Sequence, residues 1–120
     1  MDIRRVNPNI RSTRQAESRA FYCDVIGLEV YMDLGWILQL GSPSNPTALL
    51  NLIEQDATAP EHPDVTIEVQ DVDAVHAKAV ERGAEIVHPL TNEPWGVRRF
   101  FVRDPNGAVV NVMAHSSRRP

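Results

Sequence analysis

Two stretches of the chain place one amide among four apolar side chains: "ALLNLI" (Ala48 to Ile53) and, sixty residues later, "AVVNVM" (Ala108 to Met113). An asparagine can donate and accept a hydrogen bond at once, which suits recognition of a neutral polar group. Asp64 and Glu68 lie on the strand-like "DVTIEV", and four histidines (His62, His76, His88 and His115) complete the residues able to do metal or proton chemistry. A carboxylate beside imidazole is the raw material of a divalent metal site or of acid–base catalysis. Glu68 is the candidate metal-free base, a role that requires surroundings raising its pKa toward neutrality. A solvent-exposed strand end is the plainer reading of it. No Gly-rich phosphate loop and no spacing suggestive of a Ser-His-Asp triad occurs.

The elements that must carry these residues follow from periodicity. A strand is expected at about 3 to 11, where "VNPNI" alternates apolar and polar, then a helix capped by Ser12 with Gln15 and stopped by Gly27. Three short strands follow near 28 to 33, 36 to 40 and 47 to 54. After a linker-like "EQDATAPEHPD" the same order returns. "VTIEV" reads as a strand, "DVDAVHAKAVERG" as a helix capped by Asp71 and stopped by Gly83, and "AEIVH", "VRRFFVR" and "AVVNVMA" as three more strands. The two stopping glycines stand 56 residues apart and the two Asn-centred strands 60, so the chain reads as two copies of one βαβββ unit. The modules are expected at about 3–55 and 64–115, joined by a linker at about 55–63, within a single domain. Strand alternation puts Val6, Pro8 and Ile10 on a face that packs under helices, opposite Asn7 and Asn9. Likewise it sets Leu50 and Leu52 opposite Asn51, and Val110 and Val112 opposite Asn111 and Met113.

Composition narrows the classes. With 120 residues, 42% hydrophobic and 23% charged, the chain has the balance of a soluble globular domain. No apolar run approaches the roughly 20 residues of a membrane-spanning helix, and the start lacks a signal-peptide apolar region, which points to the cytoplasm. A net charge of −4 argues against nucleic acid as the partner, because phosphate binding needs clustered Lys and Arg. The local cluster Arg98, Arg99 and Arg103 reads as a charged strand face, and "SSRRP" as a frayed tail. Lone Cys23 excludes an internal disulfide and reads as a small core hydrophobe on the first helix.

The passages "FYCDVIGLEV", "DVDAVHAKAVERGAEIV" and above all "EPWGVRRFFVRDPNGAVVNVMAH" resemble the glyoxalase, bleomycin-resistance and extradiol-dioxygenase (vicinal oxygen chelate) superfamily over about residues 4 to 115. The resemblance implies an α+β fold, in which two tandem βαβββ modules form a curved mixed sheet around a concave groove, and a homodimer. It also implies metal-ligand positions on the first and fourth strands of each module, which fall here on Asn7, Asn51, Asp64 and Asn111. This sequence departs from the metal-binding pattern at every one. Three amides and one carboxylate would hold Ca²⁺ or Mg²⁺ only weakly, and amides suit zinc, iron or nickel poorly, so no cofactor is expected. Asn7, Asn9, Trp36, Asn51, Asp64, Glu68, His88, Trp95, Asn111 and Met113 are the expected groove residues. Trp36, Trp95 and Phe100 or Phe101 are candidate stacking walls for a flat ligand.

The leading expectation is therefore a metal-independent protein that binds an aromatic or drug-like small molecule, similar to the bleomycin-resistance branch. The alternative is a metal-dependent lyase, isomerase or dioxygenase of the same superfamily. A module that binds a protein partner is the third.

Overall fold

A computed structural model describes residues 2–115, so the "SSRRP" tail lies outside the described residues. Two compact units make up the chain: Asn7–His62, and the residues up to Val6 together with those from Pro63 onward. The first contains most of β1 (Ile3–Arg11), α1 (Gln15–Ala20), β2 (Glu29–Asp33), β3 (Ile37–Gly41) and β4 (Leu49–Ile53). The second contains β5 (Val65–Val69), α2 (Val72–Glu81), β6 (Ile86–Asn92), β7 (Val97–Arg103) and β8 (Val109–His115). Both repeat the order βαβββ.

Pairing within each unit is the same. β1 runs parallel to β4, which is antiparallel to β3, which is antiparallel to β2. β5 runs parallel to β8, then β7 and β6 follow antiparallel. Each sheet is thus mixed, with the parallel pair formed by the first and last strands of its module. A parallel pair needs a long crossover, and the intervening helix and hairpin supply it.

One face of each sheet carries a core. In the first unit Leu38, Leu40 and Leu52 are buried against Tyr22, Cys23, Leu28, Val30 and Leu50. In the second, Val69, Val72, Phe100 and Val112 are buried against Val75 and Ala79 of α2 and against Ile67, Ile86, Val102 and Val110. His76 sets its ring edge-on to Phe100 at 4.9 Å, because the helix turns it toward the sheet.

Helix ends follow local chemistry in one module and depart from it in the other. Asp71 caps α2 by accepting the Ala74 N–H at 3.1 Å. The expected Ser12 and Gln15 box does not form. Gln15 is the first residue of α1, no side chain caps that end, and the Gln15 amide instead donates to the Leu52 carbonyl at 3.1 Å. α1 then widens into a π-helical segment, Phe21–Ile26, closed by Gly27 at φ 102°.

Two more expectations are corrected. The strand expected at "AEIVH" does not stop at His88, since β6 runs on to Asn92 by pairing with β7. On β1 the coverage is the reverse of that expected: Val6 (56%) and Ile10 (37%) are exposed, whereas Asn7 (4%) and Asn9 (5%) are buried.

The turn between β7 and β8, "DPNG", is held by Asp104, whose Oδ1 accepts the Asn106 and Ala108 N–H groups at 2.8 and 2.9 Å. These bonds, the one from Ala108 foremost, hold its carboxyl below the usual carboxylate range. A lowered folded-state pKa stabilises above the unfolded value of about 3.9, and the contribution is lost as pH falls through the folded value. Asp104→Ala is therefore expected to lower Tm at pH 7, with the gap to the parent closing below about pH 4. Thermal melts across pH 2.5 to 7 on both proteins check this, and a gap unchanged by pH would refute it.

Candidate functional site

The helix-free face of each sheet is where the chemistry-bearing residues gather, and strand register arranges them in matching rows. In the first unit Asn9 is registered with Asn51, Asn51 with Gln39, and Gln39 with Met32. In the second, Thr66 is registered with Asn111, Asn111 with Phe101, and Phe101 with His88. The twin asparagines therefore hold equivalent places in the two modules.

A β-bulge completes each row. Pairing slips between Val30 and Met32 in one module and between Ile86 and His88 in the other. Residues two apart on a strand ordinarily share a face, but the extra residue of a bulge re-aims the side chain beyond it. Val30 and Ile86 join the cores, while Met32 pairs with Gln39 and His88 with Phe101.

The amides are arranged alike in detail. Asn51 Nδ2 donates to Asn9 Oδ1 at 2.7 Å, and Asn111 Nδ2 to Thr66 Oγ1 at 3.1 Å. In each case the carbonyl end, Asn51 Oδ1 or Asn111 Oδ1, is buried without a hydrogen-bond partner. Asn7 Nδ2 is a buried donor in the same condition. A buried unpartnered polar group costs about 1–3 kcal/mol, so such atoms mark places where another molecule's polar group would be gained at little further desolvation.

In the second unit the same face also carries charge, internally compensated. Glu68, 3% exposed, receives Arg5 Nε at 2.6 Å and Nη2 at 2.5 Å, with His115 Nε2 3.7 Å from its other oxygen. It is not the exposed strand end of the plainer expectation. Further along, Glu93 Oε2 accepts from Arg99 Nε at 2.7 Å and lies 2.9 Å from His88 Nε2. The Arg99 guanidinium lies over both the Trp95 ring (5.0 Å) and the Phe101 ring (4.8 Å).

The expected residues thus fall into groups. Asn7, Asn9 and Asn51 come together in the first unit. Glu68, Asn111 and Met113 share the face in the second, where Met113 is registered with both Glu68 and Arg99. His88 and Trp95 belong to the Glu93–Arg99 cluster. Asp64 is exposed just before β5, where its Oδ2 accepts the Val109 N–H at 2.8 Å. Register sets Thr66, not Asp64, beside Asn111, and Asn9, not Asn7, beside Asn51. Trp36 is half-buried in the β2–β3 turn, and Phe100 belongs to the α2 core. His62 Nε2 lies 3.0 Å from the Asn9 carbonyl oxygen.

The expected charged strand face of Arg98, Arg99 and Arg103 does not exist as one face. Arg98 pairs with Asp73 of α2 at 2.8 Å, Arg99 is buried on the helix-free side, and Arg103 approaches Glu85 at 3.3 Å. The Arg98 hydrogen bond also holds the Asp73 carboxyl below its usual range. Gln39, Thr66, Glu93 and Arg99 were missed as site residues. Gln39 had a signal, since "ILQL" repeats the motif of an amide among apolar residues.

A metal does not fit these donors. Among the described residues no group of three or more His, Cys, Asp or Glu is placed to hold an ion. The registered first- and last-strand residues Asn9, Asn51, Thr66 and Asn111 offer amide and hydroxyl oxygens, which zinc, iron and nickel accept poorly. On the α2 side, a polar cavity of about 500 Å³ is lined by Gln70, Asp73, Asn92 and Arg98, among others. None of the buried unpartnered atoms belongs to its lining.

Doubled βαβββ units, parallel first and last strands and paired last-strand asparagines define an α+β protein of tandem modules. The profile of the Glyoxalase/Bleomycin resistance protein/Dioxygenase superfamily matches residues 4–112, and the chain belongs to that superfamily. No curated protein matches it. Among solved structures, a glyoxalase/bleomycin resistance protein/dioxygenase superfamily member from Vibrio splendidus 12B01 superposes with a TM-score of 0.70 at 18% identity, covering 94% of this chain and 99% of that one. A hypothetical protein from Bacillus halodurans C-125 does so at 0.73 with 13% identity, covering 100% and 99%. Homoprotocatechuate 2,3-dioxygenase from Arthrobacter globiformis gives 0.70 at 27% identity over 95% of this chain, which spans only 37% of that enzyme. Among the described residues, no helix is long and apolar enough to cross a membrane.

Proposed function

We propose that the protein binds an uncharged, hydrogen-bonding small molecule, aromatic or drug-like in character, without the help of a transition metal. The observation carrying this reading is the matched pair of buried, unpartnered amide oxygens, Asn51 Oδ1 and Asn111 Oδ1, at equivalent places in the two modules. A chain selected for stability alone would gain by replacing each such amide with an apolar residue. The charged groups nearby support a neutral ligand. Glu68 is compensated by Arg5 and Glu93 by Arg99, so these two buried carboxylates do not call for a cationic ligand. Trp95, half-buried under the Arg99 guanidinium, supplies flat apolar surface. Sequestration by a cytoplasmic homodimer is the setting this reading assumes.

The test has two parts, run on untagged protein prepared without chelator. Plasma mass spectrometry is expected to find transition metal well below one per subunit. Thermal-shift screening of neutral, flat compounds is expected to give saturable stabilisation, about 2.7 kcal/mol at a hundredfold excess over Kd. Near-stoichiometric zinc, iron or nickel would sink the proposal in favour of a metal-dependent lyase, isomerase or dioxygenase.

A further inference from the structure

The first unit carries, within itself, one buried donor and one buried acceptor that nothing satisfies: Asn7 Nδ2 and Asn51 Oδ1. Both residues are almost fully buried, at 4% and 3% exposure. Asn9 stands between them in the lattice of the sheet, two residues from Asn7 on β1 and directly registered with Asn51 on β4. Asn51 Nδ2 donates to Asn9 Oδ1 at 2.7 Å, which leaves Asn51 Oδ1 as the acceptor. His62 Nε2, 3.0 Å from the Asn9 carbonyl oxygen, ties down the β1 backbone at the same point.

Strand geometry gives the spacing. A rise of about 3.4 Å per residue and a strand separation of about 4.8 Å set the Asn7 and Asn51 Cα atoms roughly 8 Å apart along a diagonal. A single group that satisfies both must accept from Asn7 and donate to Asn51 through atoms close together.

We propose, building on the small-molecule-binding reading, that this face of the first unit takes a carboxamide or lactam group of the ligand. The amide C=O accepts from Asn7 Nδ2, and its N–H donates to Asn51 Oδ1. A carboxylate fails because it has no donor for Asn51 Oδ1. An ammonium fails because it has no acceptor for Asn7. The equivalent place in the second unit differs. There Asn111 Oδ1 is an unpartnered acceptor, but Asp64, the counterpart of Asn7, is an exposed carboxylate already bound to a backbone N–H. The donor–acceptor pair is therefore particular to the first unit. Both atoms are closed off from solvent, so entry requires the covering side chains to swing aside.

The test follows asparagine side-chain cross-peaks in ¹H–¹⁵N spectra of the full chain. Benzamide, benzoate and acetophenone are the probes, having nearly one shape but differing in charge and in the N–H donor. Benzamide is expected to move the Asn7 and Asn51 peaks saturably, with a Kd on the order of 1 mM for so small a ligand. Benzoate and acetophenone are expected to bind at least tenfold more weakly. Asn7→Ala removes an unsatisfied group rather than a bond, so it is expected to fold and to weaken benzamide about tenfold. Asn51→Ala is expected to do the same, and if it does not fold, Asn7→Ala decides alone. Equal binding of all three probes, or unchanged benzamide binding by Asn7→Ala, overturns the carboxamide assignment while leaving the small-molecule reading in place. No shift from any probe or from the wider neutral screen removes both.

Discussion

Replacing Arg99 with leucine is expected to cost about 3–5 kcal/mol, a large share of the 5–15 kcal/mol that holds an ordinary domain together. Arg99 and Glu93 are 3% and 6% exposed, and their contact at 2.7 Å is made where water cannot take over the role of the lost partner. Removing the guanidinium leaves the Glu93 carboxylate buried without its Arg99 partner, 2.9 Å from the His88 ring nitrogen. It also strips the cation from over the Trp95 and Phe101 rings. The loss thus combines an uncompensated charge with lost packing. The double replacement Arg99→Leu with Glu93→Leu is expected to recover most of it, because desolvating an ion pair offsets most of the attraction regained inside. Urea unfolding of the parent, the two single variants and the double variant measures the coupling. A single-variant loss under about 1 kcal/mol would mean that the pair is solvated and the burial argument wrong.

The second large effect lies on the opposite side of the same strand. Phe100→Ala is expected to destabilise by about 3–5 kcal/mol, since the ring is fully buried among Val69, Val72 and Val112 and meets His76 edge-on. The cost has two parts: the transfer of the ring to water and the cavity that the packed neighbours only partly close. Phe100→Leu keeps most of the volume and is expected to lose less than about 1.5 kcal/mol. Benzamide binding by folded Phe100→Leu is expected to match the parent, because the residue faces α2 and belongs to the other unit from Asn7 and Asn51. Equal losses for the alanine and leucine variants would indicate that shape rather than cavity volume governs the site.

These two neighbours show how much the linear chain reveals. Arg99 and Phe100 sit side by side in "VRRFF", and alternation says that they face opposite ways. It does not say which way. The answer depends on Phe100 pairing with Val112 and Arg99 with Met113, a long-range register that no local preference encodes. Glu93, six residues from Arg99, is likewise brought to it only by the hairpin between β6 and β7.

Much of the architecture is nevertheless written locally. Period-two alternation, the Asp71 cap and the positive-φ glycines Gly27 and Gly83 each depend on neighbours within a few residues, and their recurrence, with Asn-centred strands 60 residues apart, determines a doubled βαβββ chain. The residue types at the site are equally legible, and they set its polar, amide-rich character. Tertiary structure decided the rest. It chose Asn9 and Thr66 as partners of the twin asparagines, turned Met32 and His88 each into the registered row of its own sheet through matching bulges, and buried the amides of β1 while exposing Val6 and Ile10. Side-chain period assigns faces only within a strand, whereas register, bulges and burial arise from pairing between strands distant in sequence.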